Sequence, residues 1–432
     1  MSELNQEVFE DFGGKPKKTP KPPKPPKAPK PAKEQQPVKT ERAVPVGAVQ
    51  GDYELHHIGV LDGIRAVAIL VIVWYHLWQQ SWLMPIVGPV NLDWLPRNGS
   101  ILVDMMILLS GFCLFLPYAR EMVYGERAQS TSDFYIKRVA RIAPSYYVAV
   151  IIALVIGIAL GGFVNLANIL GDLLPHLIFL HNWFIVSTQA TQLNAVLWTV
   201  AVEVQFYLFF PLIVKCFRRK PIATYLVLVL IGLVSSWLIG HNYAHINQAY
   251  WVNNTFTFAS VYANGILGAY AYVWMTRDRK RNRGEAIFFT ALAIACLWLY
   301  KIMCSHRMSY ISETKWQVDY RYLLSLLNMA FIISTIFAVR WFRLIWDNRV
   351  MKFLAEISFN LYIWHQYIFV KLKDFRIPGY EGDVPPNQLG DTAWQWKYTI
   401  ICLVAALAVA TLMTYLIERP LAKWIKNRFV EG

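Results

Sequence analysis

Residues 222–276, IATYLVLVLIGLVSSWLIGHNYAHINQAYWVNNTFTFASVYANGILGAYAYVWMT, contain no Asp, Glu, Lys or Arg. A stretch of that length without a formal charge fits two passes through hydrocarbon, because each bilayer-crossing helix needs about 20 apolar residues. The rest of the chain agrees. Of its 432 residues 56% are hydrophobic and 16% charged, against about 25% charged in an ordinary soluble domain. The fold class read from this pattern is an all-α integral membrane protein with about ten transmembrane helices, at 61–80, 99–117, 142–163, 195–215, 222–240, 255–275, 285–303, 321–339, 354–371 and 398–417. The apolar segment 172–185 (DLLPHLIFLHNWFI) is short and broken by proline, and reads as an interfacial or re-entrant piece.

Charge asymmetry sets the expected orientation. With the N-terminus inside, the cytoplasmic segments and Arg65 carry 33 of the 42 Lys/Arg, and moving the span count by one would place clusters such as 277–283 (RDRKRNR) outside. Both termini are therefore expected in the cytoplasm. Residues 1–57 hold ten of the Lys/Arg in a Pro-rich tract, expected to be a disordered arm attracted to anionic lipid, with no cleaved signal peptide before the first span. The net charge of +14 does not point to nucleic acid, since the basic residues lie in a tail and in short loops rather than on one folded face. The five cysteines are scattered, with no disulfide framework and no metal-ligand spacing.

Ionisable groups inside spans are costly and functional by default. In the first span, LDGIRAVAILVIVWYHLW (61–78), Arg65 and His76 are eleven positions apart. That spacing sets them on one helix face, about 16 Å apart along the axis. It suits a ligand lying lengthwise, with anionic phosphates near Arg65 and a reactive group near His76, which can act as general base and acid. Snorkelling of both side chains to opposite headgroup layers would give the same spacing. Asp104, in the second span, is expected near the depth of His76, where it could orient the imidazole. Ser110 and Gly111 permit close approach of another helix or a ligand. At the cytoplasmic edge, DFYIKRVARIAPSYY places Arg138 and Arg141 at i and i+3, able to hold a phosphate. Glu203 stands alone in the fourth span and His365 in the ninth. The expectation is that His76, Asp104, Glu203 and His365 converge on one layer.

At these residues the chain resembles the membrane-bound acyltransferase 3 family. The first-span Arg and His stand at the family spacing. VDMMILLSGF, YIKRVARIAPSYY, WTVAVEVQFYLFFP, EISFNLYIWHQ and YLIERP are similar to its further motifs, in order, over about 58–425. The resemblance implies a ten-helix bacterial plasma-membrane enzyme that moves an acyl group, usually acetyl, from cytoplasmic acyl-CoA to a hydroxyl of an extracytoplasmic acceptor, commonly a surface polysaccharide sugar, with no metal. It implies His76 as the catalytic histidine, Arg65 as its motif partner, Arg138 and Arg141 as the pair holding the CoA phosphates, and Glu203 as the fourth-span carboxylate. Leu102, Met105, Met106 and Val204 depart from the pattern, the last arguing against a mechanism with two adjacent carboxylates. Fifteen residues follow the last span, so no C-terminal esterase-like domain is expected. Alternatives at this level are a small-molecule or lipid acceptor, a lipid-linked sugar transporter with a proton relay, and a non-catalytic subunit.

Overall fold

The computed structural model describes residues 57–242, 248–277 and 280–430. The Lys/Pro-rich arm lies outside this range apart from His57, as do parts of the 241–254 loop and of the 277–283 cluster. Twelve helices carry the architecture: α1 (Gly59–Ser81), α2 (Leu102–Tyr124), α3 (Thr131–Ala159), α4 (Leu166–Leu177), α5 (Trp198–Arg219), α6 (Pro221–His241), α7 (Ala259–Thr276), α8 (Arg283–Met308), α9 (Glu313–Phe337), α10 (Arg349–Asp374), α11 (Thr392–Met413) and α12 (Arg419–Phe429). A two-stranded antiparallel hairpin, β1 (Ile86–Val87) and β2 (Val90–Asn91), lies between α1 and α2.

Among the described residues, eight helical segments are long and apolar enough to cross a membrane. The two further expected spans, 255–275 and 354–371, are the helices α7 and α10, which fall short of that apolarity. Their position explains why. Thirteen of the 18 residues of α7 are buried, and α10 buries Ser358, Asn360, His365 and their neighbours, so both are largely solvated by protein. The lipid-like surroundings fall to α6 and α8, which leave Leu226, Leu230, Trp237, Ile287, Phe288 and Trp298 exposed. Such continuous apolar faces are tolerated in hydrocarbon and not in water. These are the features of an all-α membrane protein.

Local chemistry fixes the helix starts. The side chain of Ser130 accepts from the backbone N–H of Asp133 at 3.0 Å, so α3 begins at Thr131 rather than 142, and Arg138 and Arg141 stand on the same helix as the span. Ser312 accepts from Lys315 N–H at 3.0 Å, starting α9 at Glu313 rather than 321 and drawing Arg321 into the interior. The 172–185 segment supplies the second half of α4, a helix only 12 residues long, and the short turns that follow at His181–Trp183 and Ile185–Thr188. α4 is too short to cross hydrocarbon.

Two contacts position the site. α2 and α7 touch closely at Gly111 and Gly265, where a Cβ on Gly265 would meet Leu108 O at 2.3 Å. The small-residue approach expected at Gly111 is therefore made to α7. α1 packs along α10, and at the His76 end the pair is tied by Lys373 Nζ donating to Gln80 O at 2.9 Å.

Candidate active site

Three cavities run in series along α1. The first, at the Arg65 end, is lined by Asp62, Arg65, Arg141, Lys352, Glu356 and Arg419, among others. The second is lined by Arg65, Ser110, Cys113, Arg138, Arg141, Glu203, Tyr207 and Tyr362. The third surrounds Tyr75, His76, Asp104, Arg307, Glu313 and Arg321. Neighbouring cavities share walls. Arg65 and Arg141 belong to the first and second, while Val103 and Tyr362 belong to the second and third. The three cavities are thus neighbours in a row from the guanidiniums to the imidazole.

At the basic end, Arg65 pairs with Asp62 one helical turn away, 3.6 Å between Nη1 and Oδ1, and its Nη2 donates to Cys113 Sγ at 3.5 Å. The Nε of Arg138 is buried with no hydrogen-bond partner among the described residues, and its guanidinium lies 5.8 Å from the ring centre of Phe134 and 5.9 Å from that of Tyr207. Lys137, on the same stretch, turns away to Gln129 Oε1 at 3.2 Å. Three guanidiniums held at a cavity wall with donors to spare can take up a multiply charged phosphate.

At the far end, His76 Nδ1 donates to Gln79 Oε1 at 3.0 Å, and Gln79 Nε2 donates to Tyr75 OH at 2.9 Å. The second bond fixes which way the amide faces, so the first leaves His76 Nε2 as the basic nitrogen. The hydrogen bond expected from Asp104 to His76 is not formed. Asp104 Oδ2 instead accepts from Arg321 Nε at 3.4 Å, and both side chains are 2% exposed. A buried guanidinium is a stronger partner for a carboxylate than a neutral imidazole, and the early start of α9 brings one within reach. Arg321 is held further by Val252 O at 2.6 Å, Thr257 Oγ1 at 3.0 Å and the face of Phe258 at 4.0 Å.

The four-residue layer is thus only partly assembled. His76 and His365 are in direct ring contact, with centroids 5.0 Å apart. His365 lies behind His76, fully buried, and lines none of the three cavities. Its Nδ1 donates to the carbonyls of Tyr362 at 2.7 Å and Leu361 at 3.0 Å. Glu203 belongs to the second cavity, beside Arg65 and Arg138, and accepts from Ser110 Oγ at 2.7 Å and from Tyr207 OH. It is the sixth residue of α5 whereas Asp104 is the third of α2.

Against this geometry, the family model described as "Acyltransferase domain" matches residues 58–415. The chain belongs to the acyltransferase 3 family. Its curated relatives include a Staphylococcus aureus (strain COL) protein provisionally named an O-acetyltransferase, 24% identical over 76% of this chain and 53% of the relative. Another is the peptidoglycan O-acetyltransferase OatA of Listeria monocytogenes, 21% identical over 86% of this chain and 57% of that protein. The chain therefore spans little more than half the length of the curated relatives it matches. No solved structure matches it.

Within this acyltransferase-family chain, residues that sequence reading did not single out complete the picture. Gln79 was visible as the i+3 neighbour of His76, Arg307 and Glu313 lie between the expected spans 285–303 and 321–339, and Arg321 stands at the start of the second. A second buried polar cluster lies on α4. His176 and His181 stack in parallel with centroids 3.9 Å apart. Asp172 Oδ2 accepts from Gln192 N–H at 2.8 Å and Thr191 Oγ1 at 3.0 Å, and Tyr146 OH donates to His176 O at 2.8 Å. Burial holds both imidazoles below the ordinary histidine range, His181 further lowered by the adjacent His176.

Proposed function

We propose that this chain is a bacterial plasma-membrane O-acyltransferase that moves an acyl group, acetyl in the first place, from cytoplasmic acyl-CoA to a hydroxyl of an extracytoplasmic acceptor, a cell-surface glycan. In this reading α7 and α10 cross the membrane together with the eight apolar segments, making ten spans, and both termini are cytoplasmic. The domain runs over 58–425. The placement of 33 of the 42 Lys/Arg on one side supports the orientation. The names of the relatives support the acetyl group and the glycan.

The observation that supports the proposal is the row of neighbouring cavities between Arg65 and His76. Arg65, Arg138 and Arg141 neutralise the donor's phosphates at the inner end, and the pantetheine arm lies along the second cavity between α2, α5 and α10. His76, held in one tautomer by Gln79, takes the proton of an acceptor hydroxyl at Nε2. The oxygen attacks the thioester carbonyl, the C–S bond breaks, and His76 returns the proton to the departing thiolate. Asp104 and Arg321 hold the chamber wall, and His365 backs the imidazole. Glu203, fixed by Ser110 and Tyr207, lines the donor passage and sets its polarity.

The test is CoA release from acetyl-CoA by purified protein in lipid nanodiscs. Release that is lost in correctly inserted His76→Ala supports the assignment. Normal release in that variant removes His76 from the chemistry. Flipping or uptake of a lipid-linked sugar without thioester cleavage replaces the enzyme reading with a transporter.

A further inference from the structure

The chamber beyond His76 holds two guanidiniums, Arg307 and Arg321, and two carboxylates, Asp104 and Glu313. Both guanidiniums are engaged by the protein, although the buried Nε of Arg307 has no hydrogen-bond partner among the described residues. Arg307 is 2% exposed; its Nη1 donates to Asn98 Oδ1 at 3.0 Å and Arg97 O at 3.2 Å, and its Nη2 to Glu313 Oε2 at 2.6 Å and Ser100 Oγ at 3.0 Å. Arg321 is committed to Asp104, Val252 O and Thr257. An anion arriving in the chamber therefore finds each guanidinium already paired with a carboxylate, Arg307 with Glu313 and Arg321 with Asp104, and meets Glu313, whose side chain is 55% exposed.

Two neutral amides of the chamber are also free. Asn253 and Gln317 line the same chamber, are half-buried, and make no hydrogen bond among the described residues. Each amide offers two donors and a carbonyl acceptor, and the Glu313 carboxylate adds acceptors at the rim. Donors and acceptors in rough balance, with charge already cancelled, match a ligand that presents several hydroxyls and no ionised group.

Resting on the acyltransferase reading, we infer that the chamber selects an uncharged, hydroxyl-rich sugar unit as acceptor, read by Asn253, Gln317 and Glu313, and discriminates against acceptors carrying a carboxylate or phosphate. An anionic sugar would have to displace an internal ion pair or lie beside Glu313, and like-charge contact without compensation is costly.

The experiment compares purified wild-type protein with acetyl-CoA and three acceptors: oligomers of a neutral hexose, of an N-acetylhexosamine, and of the corresponding uronic acid. The expected result is that kcat/KM for one or both neutral oligomers exceeds that for the acidic one by roughly tenfold or more. Equal or better use of the uronic acid oligomer overturns the inference and leaves acyl transfer standing. Thioester cleavage that none of the three stimulates also overturns it. Failure to cleave acetyl-CoA at all overturns the acyltransferase reading beneath it. As a second measurement, Asn253→Leu and Gln317→Leu are expected to raise the KM for the neutral acceptor roughly tenfold and that for acetyl-CoA much less. An unchanged acceptor KM in both variants contradicts the assignment of these two amides.

Discussion

The ring of His365 stands 5.0 Å from the ring of His76, centroid to centroid, with its own Nδ1 locked onto two backbone carbonyls of α10. A side chain so fixed can hold its neighbour in place without meeting a ligand. His365→Ala should lower kcat by roughly tenfold to a hundredfold through loss of that backing, with the KM for acetyl-CoA little changed. His365→Phe, which keeps a ring against His76, should restore most of the activity. If Phe is as inactive as Ala while both proteins remain folded, His365 carries a proton and not merely a position.

Gln79 fixes the tautomer of His76 through one hydrogen bond and is itself oriented by Tyr75. Gln79→Leu should reduce kcat by about a hundredfold, since a misassigned tautomer is among the costlier errors at a histidine base. Steady-state kinetics with acetyl-CoA check this, and a fall confined to KM would place Gln79 in binding instead.

Asp104 and Arg321 form an ion pair in which both side chains are 2% exposed. Removing one charge strands the other, so Asp104→Asn and Arg321→Met should each destabilise the protein by about 3–5 kcal/mol. The double variant Asp104→Leu, Arg321→Met should recover much of that loss in thermal unfolding in detergent. Additive losses in the double variant would show that the two residues are not coupled.

The stacked pair His176 and His181 gives the protein a dependence on pH. Both imidazoles are held below the ordinary histidine range, so between the folded value and the unfolded value of about 6.5 the unfolded state binds more protons. Stability from this pair is present above that unfolded value and is lost as pH falls below it. The melting temperature should therefore drop from pH 7.5 to pH 5, and His181→Asn should flatten the slope. An identical slope in the variant would assign the dependence to other groups.

Much of this was legible in the sequence because bilayer solvation writes itself into composition. The uncharged run 222–276 announced α6 and α7, and the Arg65 to His76 spacing placed both residues on the cavity chain. The individual partners were not legible, since rotation about a helix axis leaves no trace in hydropathy. Asp104 and Glu203 were set at one depth with His76, yet Arg321 claims the first, and Ser110 with Tyr207 holds the second one cavity away. Arg321 itself was misplaced at a span boundary because a serine cap starts α9 at Glu313. The apolar run 354–371 reads as a span, although the polar residues of α10 keep it below the apolarity of a lipid-facing helix.

The central claim is that one continuous passage leads from the guanidinium of Arg65 to the imidazole of His76. The most direct measurement is a cryo-electron microscopy structure of the protein in nanodiscs with CoA bound. The phosphates should contact Arg65, Arg138 or Arg141, the arm should pass Glu203 and Tyr362, and the sulfur should lie next to His76 Nε2. CoA density on another face of the bundle, or a sulfur separated from His76 by packed side chains, would contradict the passage and the mechanism built on it.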